Sequence, residues 1–413
     1  MLVGFLIVIH LWQFPGINLD SLLGGGSRSI EQGRDLQWEY GHSGIYHSYV
    51  TLPLNCRDPR AGHVRIALAQ MPARIKTPLG SLIISMGHPG ESGTKALYEV
   101  GEEIMDIIEG SYNLIGFDAR GVNLTSNHLS CSSDDITKQW FYSENKDELY
   151  SLRGRGCSGL GRGAEKYIST ALTATDLLRI SRILGDDKLN YIGFSYGSII
   201  GNTFSQLSPS RVGRMALGGV IDPEMYYTTG KTLKHVKCIL PECKEIEDTI
   251  SNLQEQPLEV HDKQNGISDI VTHTKVEQAL ASALSEPKKW PQFVSSIRAI
   301  QDGNGTPFLQ KHWRAKFDVA FEAGYVTRCS DSKSGCAGHT IDPILKPPNF
   351  RRIDVPILLL GTAKDPIISF EDVIKVSTYY TQPTIIQQDT VGHCAFSQLT
   401  ESSRARLRDW FLQ

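Results

Sequence analysis

Gly193-Phe194-Ser195-Tyr196-Gly197 is a run of small residues set between two apolar stretches in LNYIGFSYGSIIG, Leu189 to Gly201. A serine hydroxyl attacks an acyl carbon only when a base takes its proton and an acid orients that base. The five-residue pattern alone is common by chance, so its flanks must carry the reading. Leu189 to Phe194 predicts a strand, and Ser198 to Leu207 predicts a helix that stops near Pro209. Ser195 then stands on a strand-to-helix turn. Gly193 and Gly197 leave out side chains where so sharp a turn would crowd them. The helix that follows would aim its positive end at the hydroxyl.

The partners expected of such a serine follow in the order acid, then histidine. VPILLLGTAKDP puts Asp365 just beyond one strand, and TIIQQDTVGHCAF puts His393 just beyond the next. Asp222 also follows a strand and is the competing acid, but it directly precedes a long irregular region, and Asp365 is preferred. A developing oxyanion needs two backbone donors. The N–H of Tyr196 is one candidate. The N–H of His88, in the glycine-rich loop ISMGHPGESG that contains Gly87 and Gly90, is the other. This chemistry calls for no metal and no organic cofactor.

Positioning these groups takes a layered scaffold. Apolar runs closed by glycine or a turn predict strands at HVRIALAQMPA, GSLIISMG, YNLIGFD, LNYIGFS, VGRMALGGVID, VPILLLGT and TIIQQD. A helical pattern, AEKYISTALTATDLLRISRILG, stands between two of them and stops at Gly185. Strands alternating with helices imply an α/β fold whose mostly parallel sheet has helices on both faces. From Pro223 to about Asn349 the alternation breaks, and it resumes at Val355. The expected organisation is an apolar N-terminal segment (1–30), a first core part (31–222), an inserted helical cap or lid (223–349) and a C-terminal core part (350–413). An insertion at the carboxyl ends of parallel strands covers the crevice where such proteins bind ligands.

The 413 residues carry a net charge of −3, with 42 basic against 45 acidic side chains and no basic stripe, which excludes a nucleic-acid footprint. MLVGFLIVIHLWQFPGI has no charged residue before Asp20 and reads as the apolar part of a signal or anchor. Secretion or membrane anchoring is the expected location, with the cytoplasm as the alternative. Of the eight cysteines, Cys131/Cys157, Cys238/Cys243 and Cys329/Cys336 are the local pairs expected in an exported chain; Cys56 and Cys394 are left over. His339 beside Cys336 makes no zinc signature. Asn123-Leu124-Thr125 and Asn304-Gly305-Thr306 are glycosylation tripeptides.

Four segments resemble an α/β-hydrolase of the proline iminopeptidase family, and within it the tripeptidyl aminopeptidase-like branch of fungi and actinobacteria. They are GHPGESG, YNLIGFDARGV, YIGFSYGSIIGNTFSQLSPSRVGRMALGGVIDP, and VPILLLGTAKDPI with VGHCAF. The likeness runs from about Asp35 to the C-terminus and is weakest in the insertion. It implies release of short N-terminal peptides or residues, with a carboxylate in the cap to hold the substrate's free amine. Glu91, Glu242, Glu245 and Glu322 are the candidates, and nothing in the sequence chooses among them. The chain departs from the family at His88 and Asn123, where the pattern has glycine, and near Met86. These departures motivate a second reading, an esterase, thioesterase or cyclase acting on a small-molecule acyl group. A third is a binding relative without activity. The expected partner is a small peptide or small acyl substrate, and membrane contact is expected only through the N-terminal segment.

Overall fold

SLIIS, NLIGF and LNYIGF are buried almost without interruption, so each must be covered on both faces. Tyr46–Pro53 instead alternates buried and exposed positions, the pattern of a strand with one wet face. The computed structural model describes residues 36–126, 164–229, 238–285, 287–312, 319–332, 343–393 and 399–413. Residues 1–30, Cys131, Cys157, Cys336, His339, Cys394 and the side chain of Glu322 lie outside the described residues.

The main sheet contains β1 (Glu39–Tyr40), β2 (Tyr46–Pro53), β3 (His63–Met71), β4 (Ser81–Ser85) and β5 (Asn113–Phe117). It continues with β6 (Leu189–Phe194), β7 (Val212–Gly218), β10 (Ile357–Lys364) and β11 (Pro383–Val391). Its spatial order is β1-β2-β3-β5-β4-β6-β7-β10-β11. The first strands are antiparallel, and all pairings from β5 to β11 are parallel. From β4 the chain moves to β5 on one side and later to β6 on the other. This reversal opens a crevice beyond the carboxyl end of β4, the usual place for a ligand in such sheets. The β1–β2 ribbon is an addition to the predicted strands.

Among the described residues the helices in chain order are α1 (Gly93–Ile107), α2 (Thr170–Ile183), α3 (Tyr196–Leu207) and α4 (Pro223–Thr229). Then come α5 (Cys243–Glu255), α6 (His273–Ser285), α7 (Trp290–Gln301), α8 (Thr306–His312) and α9 (Val319–Asp331). The last two are α10 (Phe370–Ser377) and α11 (Glu401–Leu412). Leu97 and Ile104 of α1 and Phe411 of α11 pack on one face of the sheet. Leu177, Ile199, Phe204 and Val373 pack on the other. The region between β7 and β10 has a separate apolar core around Leu253, Phe293, Ile297 and Phe308. It is not purely helical: β8 (Leu258–Asp262) and β9 (Ile267–Val271) form an antiparallel hairpin. Pro287 stands between α6 and α7.

Cys238 and Cys243 form a disulfide, and Cys329 is disulfide-bonded as well. Cys56 is free and accepts a hydrogen bond from Arg179 Nη2 at 2.7 Å. No described helix is long and apolar enough to cross a membrane. No cluster of metal-ligating side chains occurs among the described residues.

Candidate active site

β6 ends at Phe194 and α3 begins at Tyr196, which leaves one residue to make the turn. Ser195 makes it at φ 55°, ψ −119°, a conformation few residues other than glycine adopt. The strain is held by neighbours. The Ser195 N–H donates to the Gly218 carbonyl at 2.9 Å. The Ser195 carbonyl accepts from the Ser198 hydroxyl at 2.6 Å. Tyr191, from within β6, donates its hydroxyl to the Gly197 carbonyl at 2.8 Å. The glycines permit this close packing. A Cβ on Gly193 would stand 2.4 Å from the Gly197 carbonyl oxygen, and one on Gly197 would stand 2.3 Å from that of Ser85. Ser195 is the residue before the helix, yet its side chain makes no cap bond, which leaves Oγ for another partner.

That partner is His393, whose Nε2 lies 3.0 Å from Ser195 Oγ. Its Nδ1 lies 3.0 Å from Asp365 Oδ2, and both side chains are buried. The carboxylate accepts from Nδ1–H, so Nε2 is left as the acceptor facing the hydroxyl. Asp365 Oδ1 also accepts from the N–H groups of Ile367 and Ile368, at 2.8 and 2.9 Å. These bonds fix the carboxylate before it meets the ring. Asp222 is elsewhere occupied: Lys375 Nζ donates to its Oδ2 at 2.7 Å, and the Glu224 N–H donates to Oδ1.

The donors expected for an oxyanion do not converge. Tyr196 N–H donates to the Gly87 carbonyl at 3.1 Å. No peptide in the described chain is cis. In a planar trans peptide the N–H points opposite to the C=O. The His88 N–H therefore points away from the Tyr196 amide, and the expected pair is not assembled in this conformation. Gly87 stands at φ +77°, and a Cβ there would fall 1.6 Å from an oxygen of the Glu91 carboxylate. Pro89 and Gly90 then form the corner of a turn closed by Glu91 N–H to the His88 carbonyl at 3.1 Å. Gly90 supplies the positive φ, +94°, that this corner requires.

His88 is exposed at one edge. The protein packed around its ring, and then the charges of His393 and Arg328, hold its pKa below the ordinary 6.5. The loop is anchored from behind by Asp118. Its carboxylate accepts from Ser92 Oγ at 2.7 Å, the Thr94 N–H at 3.1 Å and the Leu124 N–H at 3.1 Å. Asn123 completes the shell. It sits at φ +41° and donates Nδ2 to Asp118 Oδ2 at 3.0 Å, which accounts for an asparagine where glycine was expected. Arg120 is a second buried strut, paired with Asp176 at 2.7 and 2.8 Å.

Sequence reasoning also missed the side of the site formed by α9. Asp331 accepts from the N–H of Thr170 at 3.0 Å, from its hydroxyl, and from the Tyr226 hydroxyl at 2.9 Å. Thr170 Oγ1 lies 2.6 Å from the Tyr196 hydroxyl, so α9 is tied to the residue after Ser195. Burial raises the Asp331 carboxyl to about 7. No periodic signal marks these residues. Of the acids considered for an amine, Glu242 and Glu245 both pair with Arg298 in the insertion. Glu91 lies in the Gly87 loop.

Residues 88–238 match a family model described as alpha/beta hydrolase fold. The serine protease Hip1 of Mycobacterium tuberculosis is 31% identical over 224 residues, 49% of this chain and 43% of that protein. The tripeptidyl aminopeptidase of Streptomyces lividans is 29% identical over 193 residues, 43% of this chain and 36% of that protein. The chain thus spans less than half the length of the curated relatives it matches. A crystal structure of a hydrolase from Pseudomonas aeruginosa aligns with 13% identity and a TM-score of 0.45, covering 88% of this chain and 98% of that one. The sheet order and the family match together make this an α/β-hydrolase fold.

Proposed function

We propose that this α/β-hydrolase-fold protein is a serine hydrolase that cleaves amide or ester bonds through an acyl-enzyme on Ser195. The observation that carries the reading is the 3.0 Å separation of Ser195 Oγ and His393 Nε2, with Asp365 on the opposite ring nitrogen. His393 takes the serine proton as Oγ attacks the acyl carbon. Asp365 orients the ring and stabilises its charged form. His393 then protonates the leaving group, and water repeats the sequence on the acyl-enzyme. The Tyr196 N–H serves the oxyanion once the Gly87 carbonyl releases it. The region between β7 and β10 covers the crevice and selects the substrate.

A peptide substrate with a free amine, as the proline iminopeptidase likeness implies, is supported by the names of the two curated relatives. Glu91 is then the amine-binding candidate nearest the serine loop. An ester or small-molecule acyl substrate is the second reading, motivated by the departures from the family pattern at Met86, His88 and Asn123. The test is fluorophosphonate labelling of the parent and of Ser195→Ala, followed by kinetics on matched aminoacyl amides, N-blocked amides and simple esters. Ser195→Ala should lose label and lower turnover by roughly 10⁶-fold. Residual turnover within tenfold of the parent would mean a different nucleophile.

A further inference from the structure

Gly324, Arg328 and Asp331 are spaced i, i+4 and i+7 along α9, so they share one helix face. Gly324 rests on the Gly87–Gly93 loop, where a Cβ would come within 2.1 Å of the Pro89 carbonyl oxygen. Asp331 is bound to Thr170 and Tyr226, and Thr170 to Tyr196. The helix therefore spans from the loop on one side of Ser195 to the elbow on the other. Arg328 lies between the two anchors, about one turn from each.

Its side chain is half-buried, and among the described residues no hydrogen bond or ion pair engages its guanidinium. Asp331, Asp365 and Glu91 each have other contacts. Asp331 is held by its three donors, and Asp365 by His393 and two amides. Glu91 is turned against Gly87. Arg328 is near enough to His88 for its charge to bear on that ring, and His88 in turn feels His393. A guanidinium keeps its charge at all working pH, and its planar fork of donors fits a carboxylate in two parallel bonds.

We infer that Arg328 is a specificity-determining residue that receives a carboxylate carried by the acyl substrate close to the bond cleaved. The substrate class is then a carboxylated acyl ester or amide, and a free amine at that position is repelled. This inference rests on the serine hydrolase reading above and selects within it.

The test compares mono-p-nitrophenyl adipate with p-nitrophenyl hexanoate, esters of equal chain length with and without the carboxylate. The parent should favour the adipate by roughly 10- to 100-fold in kcat/KM, the worth of a hydrogen bond to a charged group, mainly through KM. Arg328→Gln should abolish that preference and leave the hexanoate within about twofold of the parent. Arg328→Lys should keep part of it. A parent indifferent to the carboxylate, or an Arg328→Gln variant that slows both esters alike, overturns the assignment. Should Arg328→Gln fail to fold, competition on the parent decides: adipamate must inhibit hexanoate turnover more strongly than adipamide, and equal inhibition overturns the assignment. Loss of fluorophosphonate label in Ser195→Ala is scored separately, so failure of the serine assignment is distinct from failure of this one.

Discussion

Asp365 and Asp222 are both aspartates that follow a strand of the same sheet, and their environments separate them. Asp222 holds Lys375 at 2.7 Å, whereas the Asp365 carboxylate accepts from His393 and from two backbone amides. Asp365→Asn should therefore lower kcat by on the order of 10⁴-fold, because an amide at that place can hold the wrong tautomer of His393. Asp222→Asn should leave kcat within about threefold and act on stability, since it removes the buried carboxylate that holds the half-exposed Lys375. Steady-state kinetics and thermal melts of the two variants distinguish the roles. Equal kinetic losses would mean that Asp222 also serves the histidine.

Between residues and molecule stand two turns, the Ser195 elbow and the Gly87–Gly93 loop. The elbow could be read from sequence because its determinants are local: an apolar strand, two glycines flanking the serine and a helix that follows directly. Asp365 and His393 were legible for a similar reason, as each stands just past an apolar strand. The orientation of the Gly87–His88 peptide was not legible, because it is set by a hydrogen bond from Tyr196, far along the chain. Arg328 and Asp331 were hidden too, since their place depends on how α9 docks rather than on any repeat. The β8–β9 hairpin was missed because its strands are only five residues long and each is interrupted by a charged residue. If the peptide must rotate before an oxyanion can be held, phosphonylation at saturating probe should reach a plateau rate. Fluoro- and p-nitrophenyl phosphonates should share that plateau despite their different leaving groups. Rates that rise linearly with concentration for both probes would show that the resting geometry reacts directly. Gly87→Ala should slow labelling by at least about tenfold, since a methyl there meets the Glu91 carboxylate and φ is +77°.

At the scale of the whole molecule, Asp331 ties the region between β7 and β10 to the core through Thr170 of α2. Its carboxyl is raised from 3.8 to about 7 by burial. A raised acid binds its proton more tightly in the folded protein, so its contribution is full below about pH 4 and is lost as pH rises toward 7. Melting temperature should accordingly fall between pH 4 and pH 7, and Asp331→Asn should flatten that part of the profile. A variant with the parent's slope would place the titration elsewhere. The strained backbone of Ser195 has a bearing on the molecule as a whole. Holding φ at 55° costs on the order of 1–3 kcal/mol, which the native contacts of Gly218 and Ser198 must offset. An unravelled chain has no reason to keep that geometry and no histidine beside the hydroxyl. Covalent tagging of this one serine would therefore count native molecules in a mixed population, and a brief pulse during urea titration would trace the unfolding curve without any optical signal.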